Sequence, residues 1–346
     1  MISKYKTGLL TVGTIVVAML TTSSYLKGKN ITLDNNEIEL TAYNNLITYQ
    51  EGEMYVYKTG APEFETVNRF QKMAASKLRS NELLPTSNSK ASLAFNDKDP
   101  SAFYEQDLNA GILSFNKGIK EYHGNSKLRL PEQQKANDIS LKFIKEVGLA
   151  PKNIKELKML HSGGLRAGAA GSEKVIDVMR TVTYGRMLNG VPVYGAGSKI
   201  IVHVGDKGEV VGVNSRWKQI DKKNAKSLDK SSLKSAKKAE MEMRQQLVND
   251  YGENAKFKIR DMYLAYYDGG KNYIQPAYFF QVDVMLPKVK ERPRITFDYV
   301  GIIAALSNPP EEIIPAEEAP EAQEYIKKAT LKKSRIKNIR KRKDVE

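Results

Sequence analysis

The chain has 346 residues, 41% hydrophobic and 27% charged, enough to bury a sizeable core divided among two or three compact units. It contains no cysteine, which excludes disulfides, a thiol nucleophile, thiolate metal sites and a lipidated cysteine. Its formal net charge is +15, and an excess of that size draws a protein toward anionic surfaces through a summed field that salt screens.

In chain order, Lys4 and Lys6 precede the apolar run GLLTVGTIVVAML at 8–20, followed by the small residues TTSS. This is the layout of a secretory signal, with cleavage expected after about Ser24. A retained anchor is the alternative, since no charge falls between Lys6 and Lys27 and roughly 20 apolar residues can span a bilayer. Either way the bulk of the chain is expected outside the cytoplasm, secreted or tethered by an N-terminal transmembrane segment.

Three apolar stripes follow, each spaced 3, 4, 4: Val67, Phe70, Ala74 and Leu78; Ala136, Ile139, Phe143 and Val147; Ala236, Ala239, Met243 and Leu247. Each predicts one amphipathic helix, near 63–78, 132–147 and 231–250. After each stripe come three strand-like runs, at 91–96, 102–107 and 111–116, at 174–188, 191–204 and 208–217, and at 257–268, 272–286 and 294–306. Asn189-Gly190 is a strong hairpin signal because both residues tolerate positive φ. Asp206-Lys207-Gly208 and Asp268-Gly269-Gly270 carry similar turn chemistry. In the last unit Tyr278, Phe280, Val282 and Val284 alternate with Phe279, Gln281 and Asp283, so one sheet face is expected under a helix and the other wet. The expected fold is α+β, with tandem helix-on-antiparallel-sheet units. A degenerate unit would span 40–120, a second 130–220 and a third 231–308.

VMRTVTYGRMLNGVPVYGAGSKIIVHVGDKGEVVGVNS, residues 178–215, is similar to the fungalysin/thermolysin propeptide module. MYLAYYDGGKNYIQPAYFFQVDV at 262–284, with ITFDYVGIIAAL at 295–306, resembles the PepSY module that follows it in protease pro-regions. The final hairpin departs from that pattern, being shortened to Asp298, Tyr299, Val300 and Gly301. The resemblance implies a domain that covers a peptidase and helps it fold, or a stand-alone relative that inhibits proteases or modulates envelope signalling.

No peptidase accompanies it. The 40 residues after 306 are rich in Glu, Pro and Lys, with too little apolar content for a catalytic domain, and the zinc signature His-Glu-x-x-His is absent. His123 reads as a loop residue, His161 opens the glycine-rich stretch HSGGLRAGAAGSEK, and His203 alternates within a strand. None pairs with another as a metal site would require. The stretch 161–174 lacks a phosphate-loop pattern and reads as a flexible insertion, and Ser162 has no motif placing a base beside it. A non-enzymatic chain without metal or small-molecule cofactor is therefore expected.

Two functions remain. The first is an extracytoplasmic interaction module whose partner is a peptidase or a signalling ectodomain, reached through an exposed strand or an aromatic surface. Its candidate contacts are Pro192, Val193 and Tyr194 in the Gly190–Gly195 turn, Trp217 between Arg216 and Lys218, and Tyr267 and Phe279 in the aromatic cluster. The second is adhesion to anionic wall polymer, phospholipid or nucleic acid. Its candidates are Lys332, Lys333, Arg335, Arg340, Lys341 and Arg342 in the basic stretch 327–343, together with the body, because eight carboxylates after residue 310 nearly offset that stretch and leave +13 on residues 1–310.

Overall fold

Asn189 and Gly190 adopt φ values of 51° and 81° in the computed structural model, the left-handed pair that matches the twist of a tight hairpin. The structure describes residues 53–78, 90–96, 99, 101–118, 128–168, 175–288 and 294–313. The expected signal segment 1–24 and the basic tail residues Lys332 to Arg342 lie outside them, as does His123.

The described chain begins with β1 (Met54–Gly60) and α1 (Phe64–Leu78), then β2 (Ala91–Phe95), β3 (Ala102–Asp107) and β4 (Ile112–Lys117). Next come α2 (Gln133–Glu146), β5 (Leu157–Gly168), β6 (Val175–Leu188), β7 (Val191–Gly195), β8 (Lys199–Val204) and β9 (Val210–Arg216). The short β10 (Gln219–Ile220) and β11 (Lys226–Leu228) lead to α3 (Ala236–Tyr251), followed by β12 (Lys256–Asp268), β13 (Tyr273–Met285) and β14 (Thr296–Ala304).

The three helices form on the expected stripes. Val67, Phe70 and Ala74 are buried on α1, Ala136 and Phe143 on α2, and Ala239, Met243 and Leu247 on α3. Sequestering a side chain such as Phe70 removes its apolar surface from water, a contribution of about 2–3 kcal/mol. Ser235 caps α3 by accepting a hydrogen bond from the Lys238 amide on its Oγ (3.2 Å).

The expected fold class is overturned. The strands do not close into tandem helix-on-sheet units; among the described residues all fourteen belong to one mixed sheet, and only three α-helices accompany it. Two pairings join what sequence periodicity separates. β4 runs antiparallel to β9, from Ile112↔Arg216 to Asn116↔Gly212, so β2–β3–β4 extend the sheet of β9, β8, β6 and β5. β7 runs parallel to β12 through Val193↔Tyr266, Tyr194↔Tyr267 and Asp268↔Gly195, carrying the sheet on into β13 and β1. The physical cause is edge satisfaction: strands left at the rims of small sheets carry unpaired amides and carbonyls, and merging the sheets pairs them.

Consequently α1 and α2 share one core against β3, β4, β6, β8 and β9, with Phe70, Phe115, Ile144, Val182 and Val202 at its centre. α3 has its own core with Phe280, Val282 and Val284. A third cluster of Tyr57, Val193, Tyr266, Ala277 and Phe279 fills the junction. The glycine-rich stretch also needs correction. Residues 161–168 are strand, the latter part of β5, paired with β6 from His161↔Thr183 to Gly168↔Val175.

Candidate functional site

The alternation of β13 divides the sheet into two faces. Tyr278, Phe280, Val282 and Val284 turn toward α3. Across the register, the opposite face receives Tyr263, Ala265 and Tyr267 from β12, Gln275, Ala277, Phe279, Gln281 and Asp283 from β13, and Asp298, Val300 and Ile302 from β14. No described helix packs on this opposite face.

Its centre is aromatic. The rings of Tyr263 and Phe279 stack with centroids 5.5 Å apart and planes 9° from parallel. Tyr194, delivered by the parallel β7, meets both edge-on at 5.7 and 5.1 Å. Burial against these rings pushes the Tyr194 phenol above its ordinary range. Tyr267 rises as well, chiefly through burial and further through the negative charges of Asp268 and Glu311. Ile302 borders the trio, and Val300 beyond it is 59% exposed.

A buried polar knot fixes where Tyr194 sits. Between β7 and β8 the chain bulges through Gly195–Ser198 and wraps around Asp268, which is 1% exposed. Ser198 Oγ donates to Asp268 Oδ2 (2.6 Å), the Gly270 amide to Oδ1 (2.8 Å), and the Gly197 amide to the Asp268 carbonyl (3.0 Å). Gly195 has φ +116°, and a Cβ there would overlap the Asp268 carbonyl, so only glycine allows this approach. Beside the knot Arg186, 2% exposed, lies 4.1 Å over the Trp217 ring and donates through Nη2 to the Lys218 carbonyl (2.6 Å). Desolvation lowers its pKa to about 10, against the opposing pull of Asp268 and Glu156.

At the far end of the face Asp283 and Asp298 are cross-strand neighbours, an unfavourable like-charge pair. Arg260 ties them together, with Nε 2.8 Å from Asp283 and Nη2 3.0 Å from Asp298. The Asp283 carboxyl is raised, first by burial, with Arg260 opposing and Asp298 adding to the rise. Lys258, opposite Asp283 on β12, adds a second cation and also opposes the rise, so the four groups balance in charge.

Of the six residues expected to contact a partner, the sheet brings Val193, Tyr194, Tyr267 and Phe279 into one cluster. Val193 and Phe279 are buried in its floor, whereas Pro192, Tyr194 and Tyr267 keep part of their surface. Trp217 lies apart, in the core beneath α1 and α2. Sequence reading missed Ile302 and Val300 as members of the face, although β-strand alternation contains them. It read Asp268 as turn chemistry only, and nothing in the local sequence marks Arg186.

The histidines stand elsewhere. His203 sits on the face of the larger sheet away from α1 and α2, bonded to Thr181 Oγ1 and Asn214 Nδ2 at 3.2 Å each, and burial lowers its pKa to about 4. His161 is exposed on β5, and Ser162 Oγ donates to Asn137 Oδ1 (2.6 Å). A cleft of about 240 Å³ is lined by Gln133, Gly163, Gly164, Arg166, Asp177 and Arg180. Asp177 accepts from both arginines within it, at 2.9 and 3.4 Å. Among the described residues no three His, Asp or Glu side chains gather as a metal site.

No family model matches this chain, and no curated protein does. Among solved structures it is similar to an uncharacterized protein from Eubacterium rectale ATCC 33656, at 8% identity and a TM-score of 0.44, over 76% of this chain and 86% of that one.

Proposed function

We propose that this protein works by binding another polypeptide, an extracytoplasmic peptidase or signalling protein, through the face bearing Tyr194, Tyr263 and Phe279. The observation that carries the reading is that aromatic trio, edged by Ile302 and the exposed Val300, on a face without a described helix. Contiguous apolar and aromatic surface of this kind is where protein partners gain most of their binding energy. The likeness of residues 178–215 to propeptide modules, which cover a peptidase, supports the choice of partner. Attachment to an anionic polymer is the second reading, favoured by the +15 net charge.

A photo-crosslinking residue at Val300, in the full chain within its own cell, tests the first reading. Met241, 63% exposed on α3, supplies the control position. One protein should be captured at Val300 and not at Met241, with no loss as salt rises from roughly 50 to 200 mM, a range over which polyanion binding falls steeply. Equal capture at both positions, or capture that disappears with salt, would refute it.

A further inference from the structure

Among the described residues several sheet edges have no second strand beside them, and three of these edges carry the devices that discourage an added strand. β5 bears Lys158 and Arg166 and has two register shifts against β6. The stretch of β12 before its contact with β7 bears Lys256, Lys258 and Arg260, with Arg260 itself the extra residue of a bulge. β2 is only five residues long. Lysines, bulges and shortness are the usual protections of an edge.

β14 has none of them. Its nine residues, TFDYVGIIA, include no Lys, Arg or Pro and pair with β13 without interruption from Thr296↔Met285 to Ala304↔Ala277. Among the described strands β13 is its sole neighbour. Among the described residues another segment joins only past its end, where Leu233 bridges Leu306. The same strand contributes Ile302 and Val300 to the aromatic face, and Asp298, whose side chain is 72% exposed, to the acidic pair.

We infer that β14 receives a β-strand from the partner, one bearing apolar side chains opposite Ile302 and Val300 and a Lys or Arg opposite Asp298. This rests on the function proposed above and names the chemistry of its partner. The backbone edge supplies hydrogen bonds that ignore sequence, and alternate side chains supply selection. Residues directly opposite on neighbouring strands share a face. An antiparallel partner therefore reads apolar-x-apolar-x-basic from its N-terminus. The apolar pair would extend the surface begun by Phe279 and Ile302, and the cation would meet the exposed carboxylate of Asp298.

The probe is a fluorescent acetylated, amidated peptide, Thr-Val-Thr-Val-Thr-Lys-Thr, titrated by anisotropy against the full chain, with amide exchange of residues 296–304 followed in parallel. Binding should protect the β14 amides. N-methylation of alternate peptide amides should weaken binding roughly a hundredfold by removing about three hydrogen bonds. Exchanging Lys for Glu in the peptide should weaken it roughly fivefold or more. Val300→Lys, at an exposed position, should abolish binding while leaving the unfolding midpoint near that of the unmodified chain. Absence of binding, equal binding by the N-methylated peptide, or self-association of the chain that Val300→Lys abolishes would each overturn the inference. Crosslinking at Val300 reads the broader function independently: capture there, without recognition of the strand peptide, would leave the aromatic face as a partner site and remove β14 as its acceptor.

Discussion

The wrapping of Gly195 around Asp268 can be tested by comparing two glycine-to-alanine changes in one hairpin. Gly190→Ala places a methyl group in open space at φ +81°. Its cost should be that of holding an L-residue in left-handed backbone, about 1 kcal/mol. Gly195→Ala meets φ +116° and a Cβ that would stand 2.9 Å from the Asp268 carbonyl carbon. Ordinary carbon contacts lie at about 3.5–4.0 Å, so β7 must retreat from β12 by more than half an ångström, roughly the difference between those distances. That displacement loosens the three-residue parallel pairing and the Gly197–Asp268 hydrogen bond. With about 1 kcal/mol for each bond weakened and about 1–3 kcal/mol for the backbone conformation, the total is about 3–5 kcal/mol. Urea unfolding of the two variants at one temperature gives the comparison directly. If Gly195→Ala costs no more than Gly190→Ala, the close approach contributes nothing and the account of how Tyr194 is positioned fails.

Tyr194→Ala should lower stability by about 2 kcal/mol, because it removes a ring packed edge-on against two others; an unfolding midpoint unchanged from the parent would contradict the packing described. His203 has a folded pKa near 4 against about 6.5 when unfolded. Below pH 6.5 the unfolded chain therefore binds the extra proton, and the contribution present at neutral pH is lost as pH falls from 6.5 toward 4. The loss should reach about 2 kcal/mol, kept below the full shift by the ring's partial exposure, and His203→Gln should flatten that part of the stability profile. Arg260→Met leaves Asp283 and Asp298 opposed and untied, which should cost about 1 kcal/mol at pH 7 and much less at pH 3, where protonation of Asp283, whose pKa is raised, removes the repulsion; equal costs at the two pH values would dismiss the ion-pair account.

What the sequence discloses here is local. The apolar stripes locate all three helices because a helix buries one face whatever it packs against, and Asn189-Gly190 locates a hairpin because the turn itself demands those residues. The alternation at 278–284 likewise assigns the faces of β13 correctly. The merging of the sheets leaves no such trace, since the pairing of β4 with β9 is made by backbone groups common to every residue. β5 escaped because Gly163 and Gly164 look like loop chemistry, although an edge strand tolerates them. β1 escaped because the partners that make it a strand lie near positions 220, 226 and 273. Four of the six expected residues meet in one cluster, three of them (Tyr194, Tyr267 and Phe279) on the candidate face, yet the feature that places Tyr194, the knot of Asp268 and Ser198 with Arg186 beside it, unites charges and hydroxyls far apart in the chain.

The place of β1 also constrains the order in which the molecule can assemble. Its Tyr55 amide donates to the Tyr266 hydroxyl across 211 positions of sequence, and its pairing partner β13 is among the last strands of the described chain. Closing so long a loop carries an entropic penalty before any contact compensates for it, and topologies dominated by distant pairings fold slowly. β2, β3 and β4 can find β9 once residue 216 has emerged, whereas β1, though able to meet β10 and β11 by residue 228, cannot join β13 until residue 274 is available. The cluster that floors the aromatic face includes Met54 and Tyr57 of β1, so that face is completed only when the two ends of the described chain have met.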